Sequence, residues 1–195
     1  KKISKKNVYK IYYILNILGA ISAFFVAYQI KKIWLGTIFL FFILSLWNYS
    51  KNYKTSLLIG NLQVSFLTAL SIITLALFDI VPIGMKKENG SSIIFYIIII
   101  YAGFAFITTL IREIIKDIED IKGDKKNNAN TLVISYGITK TKRIIIILIL
   151  ITFIGIAYFQ YFQYSILNST FSIELNYWGV NSIAVFYTSI LQVLL

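Results

Sequence analysis

IREIIKDIEDIKGDKKNNANTLVI, residues 111–134, follows directly on a long apolar run and holds five of the chain's eight acidic residues: Glu113, Asp117, Glu119, Asp120 and Asp124. A densely charged segment joined to an apolar stretch of that length marks a helix leaving a membrane, and so decides the fold class. Taken as a helix at about 100° per residue, Glu113, Asp117, Asp120 and Asp124 share an arc of roughly 60°, while Ile114, Ile115, Ile118 and Ile121 fill a separate sector. Like charges three and four residues apart destabilise an isolated helix by about 0.2–0.5 kcal/mol per pair, so the stripe calls for counter-cations. They can be local, with Lys116 on Asp120, Lys122 on Glu119 and Gly123 stopping the helix. They can also be divalent, because Mg²⁺ prefers carboxylate oxygens and completes its shell with water or substrate phosphate. The origin of the stripe at a membrane span favours the second, and a diphosphate held through Mg²⁺ is the natural ligand.

Composition sets the outer bounds. A chain of 195 residues that is 58% apolar, 16% aromatic and only 14% charged is too apolar for a soluble domain and reads as an all-α, polytopic transmembrane helical bundle. Cysteine and histidine are both absent, which removes thiolate chemistry, the usual proton shuttle and the usual zinc ligands. Any catalysis therefore uses carboxylates, amines, hydroxyls or a metal. The net charge of +11 is spread loop by loop rather than along one face, which points to a membrane surface and not to nucleic acid.

Apolar runs at residues 8–30, 33–49, 56–78, 91–111 and 144–164, with a sixth from 177 to 195, predict about six spans. Counting Lys and Arg in alternate loops gives fifteen on the side of the N-terminus, residues 48–55 and the acidic stripe, against four on the other. The positive-inside bias then predicts a multi-pass protein of the cell membrane with both polar constellations facing the cytoplasm. Four carboxylates at mid-bilayer would cost on the order of 10 kcal/mol, so the stripe belongs at a helix mouth or in a wet cavity, where an amphiphile's headgroup can reach it.

The second constellation is the short loop Asn48, Tyr49, Ser50, Lys51, Tyr53 and Lys54, followed by Gly60, Asn61 and Gln63. Lys and Tyr donate to phosphate oxygens, and an ammonium stabilises a departing anion. Taken alone, Tyr49 and Lys54 are better accounted for by interfacial anchoring and snorkelling. Asn61 and Gln63, a turn inside a span, either bond a neighbouring helix or line a cavity.

Together these residues carry a resemblance. Tyr49-Ser50-Lys51-Asn52-Tyr53-Lys54, then Gly60-Asn61 and Leu67-Thr68, resembles the YSxxLK and GN pattern of UbiA-type intramembrane prenyltransferases. Arg112-Glu113, Lys116-Asp117, Glu119-Asp120, Gly123-Asp124, Thr131-Leu132 and Gly137 resemble that family's second aspartate motif, with its DxxxD core at Asp120 and Asp124. The forms are most similar to the branch that prenylates geranylgeranylglycerol phosphate; neighbouring branches prenylate quinone precursors, haem or chlorophyll. Tyr53 stands where the first motif usually has Leu, Asn128 where Gly is common, and Val133 where Pro often follows. The resemblance implies one domain over residues 1–195, a piece of a roughly nine-helix fold lacking the first aspartate motif upstream and at least one helix downstream.

It also implies a Mg²⁺-dependent enzyme whose partners are a prenyl diphosphate donor, a lipophilic acceptor and the lipid bilayer. Asp117, Asp120 and Asp124 would hold the metal, with Asp120, Asp124, Lys54 and Tyr49 in the chemistry. Ser50, Asn61, Arg112 and Lys116 would bind substrate, Lys54, Tyr49, Arg112 and Lys116 steadying the leaving group. Two non-enzymes compete with this expectation. An inactive membrane scaffold is one. A cation carrier is the other, and it calls for ionisable residues near mid-span; runs 8–30, 91–111 and 144–164 carry only Lys10, near an end.

Overall fold

A computed structural model of the chain describes residues 4–84 and 91–171. Every regular element among them is helical. Helix α1 is Lys5–Gln29, α2 Gly36–Asn48, α3 Ile59–Ile83, α4 Ser91–Glu119, α5 Ile121–Lys126, α6 Leu132–Tyr136 and α7 Ile138–Phe171. Five helical stretches of 21 to 26 residues are long and apolar enough to cross a membrane: Lys6–Gln29, Ile33–Tyr53, Ile59–Pro82, Ile94–Glu119 and Ile138–Gln163. The expected sixth run, 177–195, lies outside the described residues.

The chain divides into two compact units, Lys1–Ile145 and Ile146–Leu195. Within the first, α3 packs mainly on α4, and α1 packs on α2. The order of contacts makes these helices antiparallel. Ser45, near the end of α2, accepts from Gln63 near the start of α3 at 2.7 Å, while Phe39 and Phe78, at the opposite ends of the same helices, meet edge to face at 5.8 Å. The site-bearing ends of α2, α3 and α4 therefore gather on one side.

The packing suits lipid. Among the described residues, six of the fifteen buried apolar ones are alanine, including Ala27, Ala76 and Ala102, and small residues let helix backbones approach where no water drives them together. Large side chains face outward, with Leu75 70% exposed. Hydroxyls inside the spans bond their own helix: Thr68 to the Val64 carbonyl, Thr74 to Leu70 and Thr108 to Phe104. None of these polar groups needs a partner from the bilayer.

Two expectations change. The loop at 48–55 is not a loop, because the second span continues through a π-helical turn at Tyr49–Tyr53. The acidic stripe does not ride one uninterrupted helix either. The backbone relaxes at Asp120 (φ −88°, ψ 7°) and resumes as α5, which contains Gly123 instead of ending there. Hydrogen bonds from Asp120 N to Lys116 O (2.9 Å) and from Asp124 N to Asp120 O (3.0 Å) keep the path helical across the break.

Candidate active site

The site is built where the end of α2, the start of α3 and the end of α4 meet. The turn Tyr49–Tyr53 closes with an i to i+5 bond from Lys54 N to Tyr49 O at 2.9 Å. Such turns hold one residue more than an α-turn and recur at functional sites. This one half-buries Tyr49 and brings its phenol within electrostatic reach of Lys116, Glu113 and Asp117 on α4.

Gly60 lets α3 approach the turn. A Cβ there would stand 2.5 Å from the Tyr53 carbonyl oxygen, closer than any side chain tolerates, and 3.2 Å from the Tyr49 ring. Asn61 follows, buried, and its Nδ2 donates to Oδ2 of Asp117 at 2.7 Å. Ser65 Oγ bonds the Asn61 carbonyl at 2.7 Å and holds the first turn of α3 in register. The Gly-Asn pair thus has a division of labour: the glycine admits the backbone and the asparagine spans to the carboxylate.

On α4, Asp117 is half-buried and feels the like charges of Asp124 and Glu113 against the single cation Lys116. Glu113 lies one turn earlier on the same face and is 8% exposed. Lys116 Nζ stands 3.6 Å from Glu113 and Arg112 Nη1 3.9 Å. Lys116 therefore pairs with Glu113 and not, as local neutralisation would have it, with Asp120. Beyond α5, Asn130 N donates to the Thr55 carbonyl at 2.9 Å, tying the stretch after the stripe to the stretch after the tyrosine turn. Asn128 reaches that loop with φ 52°, a backbone that Asn tolerates and glycine adopts freely. This accounts for the glycine that the family pattern carries there. Thr131 occupies the N-cap position of α6 without capping it: it is 4% exposed and its hydroxyl has no partner among the described residues.

Of the residues singled out in the sequence, Tyr49, Asn61, Lys116, Asp117 and Asp124 come together. Lys54, Ser50 and Asp120 are exposed, and their side chains have no partner among the described residues; Arg112 is exposed too, its side chain at 78%. Among the described residues no three carboxylates converge closely enough to hold a metal ion by themselves. Glu113 was visible as a member of the stripe, but only burial marks it as part of the site. The Thr55–Asn130 clamp is a backbone contact and has no side-chain signature.

The donor set is one of hard oxygens, a half-buried carboxylate crowded by two others with a phenol beside them, and one ammonium stands at its edge. It suits a divalent cation that draws further ligands from substrate phosphates.

A model of the UbiA prenyltransferase family matches residues 1–187. The digeranylgeranylglyceryl phosphate synthase of Methanosphaera stadtmanae is 42% identical over 104 residues, 53% of this chain and 34% of that protein. The protein of the same name from Methanobrevibacter smithii is 37% identical over 137 residues, 70% of this chain and 44% of that one. That of Sulfurisphaera tokodaii is 39% identical over 116 residues, 57% and 38% respectively. The chain thus spans less than half the length of these relatives. No solved structure matches it.

Proposed function

This chain belongs to the UbiA prenyltransferase family, and from that premise we propose that the protein moves a prenyl group from its diphosphate to a lipophilic acceptor. The named relatives favour geranylgeranyl as the group and an isoprenoid glyceryl phosphate as the acceptor. One observation carries the reading: the 2.7 Å bond from Asn61 to Asp117. It joins the two motif-bearing helices at a carboxylate with too few cations around it.

Magnesium fits this donor set. Asp117 would hold it with Asp124 beside it, substrate phosphate would supply further oxygens, and the exposed Asp120 would have to turn inward to join them. When bound, it neutralises charge on the leaving group. Asn61 fixes one oxygen of Asp117 and leaves the other free. Tyr49 and Lys116 lie on the flank from which a phenol and an ammonium donate to departing diphosphate oxygens. The allylic C–O bond breaks with its electron pair going to the diphosphate. The acceptor hydroxyl oxygen then bonds to the allylic carbon and gives up its proton to a diphosphate oxygen. The apolar surroundings keep water from competing for the cation. The lysine-rich ends that carry the site face the cytoplasm under the positive-inside bias.

The test is an assay of the native protein in detergent with geranylgeranyl diphosphate, Mg²⁺ and a panel of acceptors. Ether formation on geranylgeranylglyceryl phosphate is the expected result. Transfer to an aromatic acid but not to the glyceryl phosphate would overturn the acceptor class, and no transfer to any acceptor would overturn the reading.

A further inference from the structure

Glu113 holds neither metal nor substrate in the proposed transfer, yet among the described residues it is the one charged side chain that is buried, at 8% exposure. A carboxylate so placed is costly unless cations face it. Two do: Lys116 Nζ stands 3.6 Å from its Oε2 and Arg112 Nη1 3.9 Å from its Oε1. Lys116 has a choice of carboxylates at helical spacing, Glu113 three residues back, Glu119 three ahead and Asp120 four ahead. Glu119 and Asp120 are exposed, and among the described residues Lys116 forms an ion pair with Glu113 alone. Two effects favour that choice. Attraction to a buried charge is screened less than attraction to an exposed one, and helical side chains lean toward the N-terminus of their helix, which here is the apolar interior.

The choice fixes where the ammonium stands. Glu113 lies about 4.5 Å further into the span than Lys116, whereas Asp120 lies about 6 Å further out. Around the helix, Glu113 falls between Lys116 and Asp117, about 60° from the first and 40° from the second. The pair therefore draws the ammonium inward and toward the Asp117 face, where its charge acts on Asp117 and Tyr49. We propose that Glu113 is a positioning residue, holding the Lys116 ammonium at the depth of the departing diphosphate instead of out among the exposed acids. This inference rests on the prenyl transfer proposed above. At 3.6 Å the pair is longer than a charge-assisted hydrogen bond, so the ammonium keeps donors for a phosphate oxygen while the carboxylate aims it.

Positioning and simple charge balance predict opposite signs. Arg112, Glu113 and Lys116 together carry one net positive charge; Glu113→Gln raises this to two, which by charge alone would tighten binding of an anionic donor. If Glu113 positions Lys116, the same substitution lowers kcat instead. The test measures steady-state kcat and donor KM, in detergent at saturating Mg²⁺, for the native protein, Glu113→Gln, Lys116→Gln and the double variant. Glu113→Gln is expected to lower kcat about tenfold, the loss of one aligned charged contact in the transition state. The double variant should be no slower than Lys116→Gln, because a residue that acts through Lys116 has nothing left to lose. Glu113→Asp keeps the charge but withdraws it by one methylene, and should lower kcat about threefold; if the glutamine variant does not accumulate in membranes, the aspartate variant carries the same cycle. A lower donor KM with kcat unchanged would make Glu113 a counter-ion only and overturn the proposal. Losses that multiply in the double variant would overturn it too, as would recovery of kcat at higher Mg²⁺, which would assign Glu113 to the metal. An active native protein with unchanged Glu113 variants defeats this inference alone, while a native protein that transfers nothing defeats the proposed function first.

Discussion

At the scale of single residues, the site turns on how one carboxylate is held. Asp117 is oriented by Asn61 at 2.7 Å and crowded by Glu113 and Asp124. Removing the carboxylate and removing its orienter should therefore differ in degree. Asp117→Asn is expected to abolish measurable prenyl transfer while the protein still enters membranes. Asn61→Ala should lower kcat/KM for the diphosphate by about 10- to 100-fold, the loss of one hydrogen bond to a charged group. Equal losses for the two variants, measured with radiolabelled donor, would show that Asn61 does more than orient. Gly60→Ala is a separate test of geometry. Its Cβ meets backbone, the Tyr53 carbonyl, at 2.5 Å, so nothing flexible can yield. We expect a destabilisation of about 1–3 kcal/mol, read as a lower melting temperature in detergent, together with loss of activity.

At the scale of elements, the apolar runs located all five described spans, because length and hydropathy are enough when the solvent is lipid. What they could not reveal was the ends of two helices. The polar composition of residues 48–55 reads as a loop, yet the main chain continues as a π-turn that places Tyr49 over Gly60 and opposite Lys116. Propensity carries no signal for one extra residue in a helix. Likewise, the 100° periodicity placed four acids on one arc, and the relaxation at Asp120 is a tertiary event that periodicity does not contain. The turn is testable as an element. Asn52 is exposed, and its side-chain amide donates to Asn48 Oδ1 at 2.6 Å. Deleting it returns the turn to α-helical closure and removes the bulge that carries Tyr49 toward α3 and α4, while the chain beyond stays nearly in register. The variant should still accumulate in membranes, since the apolar run is unchanged, but lose prenyl transfer because Tyr49 and Gly60 no longer meet. Retention of full activity would show that the extra residue is incidental.

At the scale of the whole molecule, solvent decides which substitutions matter. Leu75 and Ala76 are neighbours on α3, the first 70% exposed and the second 2%. In a water-soluble protein, trimming the larger side chain would be the costlier change, because large apolar groups are normally the buried ones. Here the bilayer is as apolar as leucine, so Leu75→Ala exchanges one lipid contact for another and should leave the melting temperature nearly unchanged. Ala76→Leu instead forces extra methylenes into a tight interhelical seam, at a cost of about 1–3 kcal/mol. The same bias shows in the site, where the sequence signal lay in residues whose polarity is expensive in a membrane: Asn61, Asp117 and Glu113 are buried or half-buried and tied to one another or to Lys116. Thermal unfolding in a lipid nanodisc measures both substitutions under one condition. The order Leu75→Ala milder than Ala76→Leu is expected there, and the reverse order would mean that the outward face of α3 is covered by protein instead of lipid.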